Sequence, residues 1–121
     1  MIPGDGFIMI HGASALEVRV IKSEQELEKQ KERGITLIDF CAPWYAPCSL
    51  QEPIIQQLAV EFQENALIGS MNIDESRDVA MRLGIQSIPT LIIFKNGIEI
   101  QRFVGLQPES VLSEALRELL A

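Results

Sequence analysis

Short apolar segments alternate along the chain with segments in which apolar residues recur every three or four positions. The first kind predicts five strands, at residues 17–21, 35–40, 66–73, 90–94 and 98–104. The second kind predicts four helices, which begin near Ser23, Pro47, Asp74 and Pro108. The resulting order, β-α-β-α-β-α-β-β-α, indicates an α/β fold in which a mixed central sheet of about five strands is flanked by four helices.

Local signals refine these elements. Ser23 with a glutamate three residues later is a capping-box pattern at the start of the first helix, and Asn96-Gly97 is a strong hairpin signal between the last two strands. Pro53 lies inside the second helix and is expected to bend it. Apolar residues spaced by four predict the buried face of that helix: Leu50, Ile54, Leu58 and Phe62.

Length and charge limit the classes of protein that fit. The chain has 121 residues, of which 47% are hydrophobic, and a net charge of −7. No Lys/Arg-rich run is present, which argues against nucleic acid and anionic membranes as partners, and no apolar run reaches the roughly 20 residues of a membrane span. Residues 1–16 lack the signal-peptide pattern and are predicted to form an arm or an extra edge strand, whereas residues 17–121 are predicted to form one domain.

The two cysteines, Cys41 and Cys48, are too few for a disulfide-stapled secreted scaffold. A cytoplasmic setting with reduced or redox-active thiols is the simpler inference. Two cysteines also cannot complete a four-thiolate metal or iron–sulfur site within one chain, and the single histidine, His11, has no second ligand at metal spacing. We therefore expect no metal site and no cofactor.

Several motifs, in order and at matching separations, resemble the thioredoxin family. Residues 39–48 read DFCAPWYAPC, and Pro53 follows five positions later, where the family helix has its kink proline. Residues 72–74 read NID, residues 84–91 read GIQSIPTL, residues 94–97 read FKNG and residues 103–105 read FVG. The resemblance covers about residues 17–121, and it implies a thioredoxin fold and thiol–disulfide chemistry with protein substrates.

Three residues depart from the family pattern. Tyr45 stands where the family has its exposed nucleophilic cysteine, Cys41 where it usually has tryptophan, and Ser70 where it often has lysine. A tyrosine phenol has a pKa near 10 and forms no disulfide, so only the resolving cysteine position, Cys48, is retained. The change from tryptophan to cysteine also leaves space, which Tyr45 is a candidate to fill.

Each cysteine has two interpretations. Cys48 is either a redox thiol at a helix N-terminus, where negative charge on sulfur is favoured, or a buried thiol that packs as a small hydrophobe. Cys41 is either a new disulfide partner for Cys48, which requires Cα atoms within roughly 7 Å, or a small apolar substitute for tryptophan.

Asp39 interrupts an otherwise apolar strand, where a charged carboxylate is costly to bury. Burial is expected to raise the pKa of this carboxyl and make it a proton acceptor near neutral pH. The resemblance implies that Asp39 serves Cys48 as general base. The alternative is an inherited acid with a solvated or hydrogen-bonded carboxylate and no remaining task.

The resemblance also implies a peptide-binding groove beside the active-site loop. The family's matching proline follows a cis bond, which implies the same for Pro89, and the remaining groove positions are Trp44, Tyr45, Ile88 and Gly105. An extended peptide would dock against the backbone next to Pro89 by strand addition. Partners implied in this way are a protein or peptide substrate and, as a candidate reductant, a thioredoxin reductase.

Two hypotheses about function follow. The first is a thioredoxin-like redox protein with altered or weakened exchange through Cys48, paired or unpaired with Cys41. The second is a redox-silent peptide- or protein-binding module on the same scaffold. An engineered variant is a third option that fits less well, because variants that trap substrates usually keep the first cysteine and remove the second. The first hypothesis predicts a reversible disulfide or a reactive thiol, and the second predicts binding that is indifferent to reductant.

Overall fold

A computed structural model of the protein describes residues 18–121, so the predicted arm at residues 1–16 lies outside the described residues. Within this range, elements follow one another in the predicted order. The strands are β1 (Arg19–Ile21), β2 (Ile35–Cys41), β3 (Ala66–Asn72), β4 (Thr90–Lys95) and β5 (Ile98–Val104). The helices are α1 (Glu24–Lys31), α2 (Ala46–Glu61), α3 (Arg77–Leu83) and α4 (Glu109–Leu120).

The strands form one mixed sheet in the order β1-β3-β2-β4-β5. β3 pairs in parallel with both β1 and β2, whereas β4 is antiparallel to β2 and to β5. The central strand, β2, is buried along its first six residues, as expected for a strand covered on both faces. The predicted fold class, a five-stranded mixed sheet with four helices, is confirmed.

Alternate residues of β2 pack on opposite faces of the sheet, because successive side chains of a strand point to opposite sides. Leu37 belongs to a cluster that includes Leu58 of α2 and residues of α4. Ile38 belongs to a second cluster with Leu27 of α1 and Val79 of α3. Helices α2 and α4 therefore cover one face of the sheet, and α1 and α3 cover the other.

Two local signals read from the sequence are confirmed. The Ser23 side chain accepts a hydrogen bond from the Glu26 backbone N–H at 3.1 Å and caps α1. Asn96 and Gly97 both have positive φ, 51° and 87°, in the turn between β4 and β5. Positive φ at both central positions suits a tight hairpin turn, which explains the Asn-Gly pair there.

The predicted buried face of α2 is wrong at Leu50, which is 61% exposed. The helix buries the predicted Leu58 and, in addition, Cys48, Gln51, Ile55 and Ala59. A helix has about 3.6 residues per turn, so a strict spacing of four drifts by roughly 40° at each step. Two steps before Leu58, this drift carries Leu50 off the core face.

The start of α3 also differs from the prediction. α3 begins at Arg77 rather than at Asp74, because the preceding residues form a turn in which the Asn72 side chain accepts the Asp74 N–H at 2.9 Å. In α4, Leu112, Ala115 and Leu116 are buried, whereas Val111 and Leu120 are exposed. They lie at the edges of the stripe of α4 that contacts the core.

Candidate redox site

The two cysteines meet where β2 leaves the sheet and α2 begins. Cys41 is the last residue of β2, and Cys48 lies in the first turn of α2. They form a disulfide with their Cα atoms 5.7 Å apart, within the usual range for such bonds. The intervening loop folds back through a turn in which the Tyr45 N–H donates to the Ala42 carbonyl at 3.2 Å. Of the two interpretations of Cys41, the structure contains the pair.

The two sulfur atoms lie in different surroundings. Cys48 is buried, with 5% exposure, and its Sγ accepts the Ala42 backbone N–H at 3.3 Å. It also lies at the N-terminal end of α2, where the helix dipole favours negative charge. Cys41 is half-buried. Cys48 is therefore better suited to hold a thiolate, and Cys41 is easier to reach.

Asp39 lies on the same face of the sheet as Cys41, because the two residues are two positions apart on β2. Its side chain is buried, and its Oδ1 atom has no hydrogen-bond partner among the described residues. Burial raises the pKa of the Asp39 carboxyl from 3.8 to about 7, with a smaller contribution from the nearby Glu52 carboxylate. This matches the predicted direction and makes Asp39 able to exchange a proton near neutral pH.

A cavity of about 370 Å³ opens beside the cysteine pair. We refer to it as the cysteine cavity. Fourteen described residues line it: Val18, Val20, Asp39, Cys41, Ala42, Pro43, Cys48, Ser49, Glu52, Ile55, Gln56, Ser70, Met71 and Asn72. Tyr45 is not among them. Tyr45 stands at the N-cap of α2, where its side chain is 39% exposed.

The predicted groove residues fall into two groups. Ile88 and Pro89 are joined by a cis peptide bond, and the Pro89 carbonyl accepts the Gly105 N–H at 2.8 Å. Trp44 and Tyr45 form an exposed aromatic pair with ring centroids 5.7 Å apart. None of these five residues lines the cysteine cavity.

Sequence reasoning missed three side chains around the site. Glu52 lies four residues after Cys48 on α2, and this helical spacing was a usable signal for a shared face. Asp74 accepts a hydrogen bond from the Trp44 indole Nε1–H. Gln51, fully buried, donates to the Gln107 carbonyl at 3.0 Å and accepts the Gln107 N–H at 2.8 Å. The contacts of Asp74 and Gln51 join residues that are far apart in sequence, so residue spacing could not have predicted them.

Comparison with known proteins identifies the family. A model of the thioredoxin family matches residues 17–118. A thioredoxin of Staphylococcus aureus is 35% identical over 94 residues, which cover 78% of this chain and 90% of that protein. The chain belongs to the thioredoxin family.

Solved thioredoxin structures agree with this assignment. A thioredoxin from Malassezia sympodialis has a TM-score of 0.77 and 30% identity, over 86% of this chain and 91% of that chain. A mutant thioredoxin from Halobacterium salinarum NRC-1 has a TM-score of 0.80 and 28% identity, over 87% of this chain and 93% of that chain. This thioredoxin-family protein therefore has the family fold.

The described residues contain neither a helix that could span a membrane nor a cluster of potential metal ligands. Between residues 18 and 121, no helix is long and apolar enough to cross a membrane. The same residues contain no group of three or more His, Cys, Asp or Glu side chains placed to hold a metal ion.

Proposed function

We propose that this thioredoxin-family protein exchanges thiols and disulfides through the Cys41–Cys48 pair. The observation that supports the proposal is the disulfide between these residues, with Cα atoms 5.7 Å apart. Tyr45 occupies the position of the family's exposed nucleophile and forms no disulfide. The cysteine at the end of β2 therefore takes over as the partner of Cys48.

The surroundings of the two sulfur atoms suggest their roles. In the oxidised protein, an incoming thiolate attacks the sulfur of half-buried Cys41, and the Cys41–Cys48 bond breaks. Cys48 is the leaving group, because the Ala42 N–H and the start of α2 stabilise its negative charge. Asp39, whose carboxyl has a pKa of about 7, donates or accepts the accompanying proton.

Exchange with large disulfide substrates is weakened in this arrangement. Nucleophilic attack requires an accessible thiolate, and neither sulfur occupies the exposed position taken by Tyr45. The proposed partners are a protein or peptide that docks beside Pro89 and, as reductant, a thioredoxin reductase, with no role for nucleic acid or membranes. A cytoplasmic setting is part of the same proposal.

Thiol counting by mass spectrometry, with and without dithiothreitol, tests this function. After mild oxidation we expect the loss of two hydrogens within one chain, mapped to a Cys41–Cys48 peptide pair, and full reversal by dithiothreitol. Cys48→Ser is the matched control and should lose the reversible change. Two free thiols under oxidising conditions would refute the redox proposal and favour a redox-silent binding module.

A further inference from the structure

The cysteine cavity gives access to the pair from the side of β1 and β3. Cys41 and Cys48 line it together with Val20 of β1 and Ser70 of β3, which are paired neighbours in the sheet. Its volume of about 370 Å³ falls in the range of small-molecule sites, roughly 300–1,000 Å³. The groove residues around Pro89 do not line it. Access from this side suits a small molecule rather than a folded protein surface.

The walls of the cysteine cavity are acidic. Asp39 and Glu52 contribute carboxyl groups, and none of the described lining residues is Lys, Arg or His. The Oδ1 atom of Asp39 is buried and has no hydrogen-bond partner among residues 18–121. A buried polar atom without a partner is rare in folded proteins. A ligand with a positively charged N–H donor would satisfy this acceptor, whereas an anionic ligand would be repelled.

We propose that the cysteine cavity admits low-molecular-weight aminothiols, which reduce the Cys41–Cys48 disulfide from the β1/β3 side. The ammonium group of the ligand binds between Asp39 and Glu52, and its thiolate reaches the Cys41 sulfur at the end of β2. This inference rests on the proposed function and names a substrate class for the same pair.

Complete reduction of the protein disulfide requires two aminothiol molecules. The first aminothiolate attacks the Cys41 sulfur, forms a mixed disulfide with it, and displaces Cys48 as a thiolate, which then takes up a proton. A second aminothiolate attacks the ligand sulfur of the mixed disulfide and releases Cys41. Two aminothiols are thereby oxidised to one small disulfide, and the protein disulfide is reduced to two thiols. The reverse sequence uses the small disulfide as oxidant.

Rates of reduction by three small thiols of different charge test the inference. The full-length oxidised protein is mixed with cysteamine, 2-mercaptoethanol or 2-mercaptoethanesulfonate, and free protein thiols are counted by alkylation and mass spectrometry. Each rate is divided by the rate of the same thiol with hydroxyethyl disulfide, which removes differences in intrinsic reactivity. We expect cysteamine to exceed 2-mercaptoethanesulfonate by roughly tenfold or more, since charges a few ångströms apart near a protein surface interact strongly.

Variants that change the charge of the cavity lining test whether that charge causes the preference. Glu52→Gln should reduce the preference for cysteamine, and Ser70→Lys should reverse it in favour of 2-mercaptoethanesulfonate. Glu64→Gln, an exposed charge change outside the cavity, should leave the order unchanged. Treating Cys48→Ser with cystamine should place the cysteamine adduct on Cys41.

Equal corrected rates for the three thiols, or an order unaffected by Glu52→Gln and Ser70→Lys, would overturn the inference. Reversible reduction by dithiothreitol is measured in the same samples. A pair that cycles with dithiothreitol but shows no charge preference contradicts only the aminothiol site. A pair that does not cycle at all contradicts the proposed function as well.

Discussion

Replacing Asp39 with asparagine should make the oxidised protein more stable at alkaline pH. Asp39 is 4% exposed, and one of its carboxylate oxygens has no hydrogen-bond partner in the described chain. Burial, and to a smaller extent repulsion from the Glu52 carboxylate on α2, raises the pKa of Asp39 from 3.8 to about 7. Its neighbours across the sheet, Leu91 on β4 and Ser70 on β3, carry no charge that could compensate. The ionised carboxylate is therefore a cost to the folded state, which asparagine removes.

The direction and the size of this change in stability follow from the linkage between proton binding and folding. Between pH 4 and pH 7 the folded protein keeps a proton on Asp39 that the unfolded chain has released. The free energy of unfolding therefore falls as pH rises through this window, by about 4 kcal/mol in total. Asp39→Asn should be similar to the wild type near pH 3.5 and more stable than it by up to about 4 kcal/mol at pH 8.

Urea unfolding of the oxidised protein, at a series of pH values from 3.5 to 8.5, measures this effect. An NMR titration of the Asp39 carboxyl gives its pKa independently. Glu52→Gln should move the fall in stability to lower pH, because one of the two causes of the raised pKa is removed. Glu64→Gln serves as a control on the surface of the chain. An Asp39→Asn protein with the same pH dependence as the wild type, or a titration midpoint near 4, would refute the reasoning.

Three further changes test the rest of the site. Tyr45→Cys puts a thiol in the exposed turn and should raise insulin-disulfide reduction roughly tenfold or more; turnover equal to the wild type would contradict the role assigned to Tyr45. Cys48→Ser removes the cross-link and should lower the free energy of unfolding by about 2–3 kcal/mol relative to the oxidised protein, while matching the stability of the reduced wild type within error. Gln51→Leu leaves the backbone N–H and carbonyl of Gln107, just before α4, without their side-chain partner. It should lower the free energy of unfolding in urea by about 2–3 kcal/mol, whereas Gln57→Leu on the exposed side of α2 should lower it far less.

Local patterns predicted the fold well, because each element carries its own signal. These signals depend on residues close together in sequence, as in the apolar run of β2, the Ser23 cap of α1 and the turn at Asn96. The faces of α2 were predicted less well, since a spacing of four approximates the helical period and placed Leu50 in the core. The fold class needed only the order of elements, and it was therefore insensitive to this error.

Residue spacing within a single strand or helix predicted only part of the site. Asp39 and Cys41 share a face because they are two residues apart on β2, and Glu52 joins Cys48 because they are four apart on α2. Whether the two pairs meet depends on the path of the loop between them, which the sequence left open. The cavity also needs β1 and β3 as walls, and these strands come together only through long-range pairing.

The position of the second cysteine decides which side of the domain carries the chemistry. Side chains of β2 alternate, so a cysteine at the end of this strand in register with Asp39 points to the α2 side, into a cavity bounded by β1 and β3. The exposed turn before α2 holds an aromatic pair instead of a thiol. Cys41, the more exposed sulfur of the pair, therefore lies at an acidic pocket lined by Asp39 and Glu52 and not in that turn. If the aminothiol proposal holds, ligand charge and size control exchange from the cavity side, in addition to any peptide that docks beside Pro89.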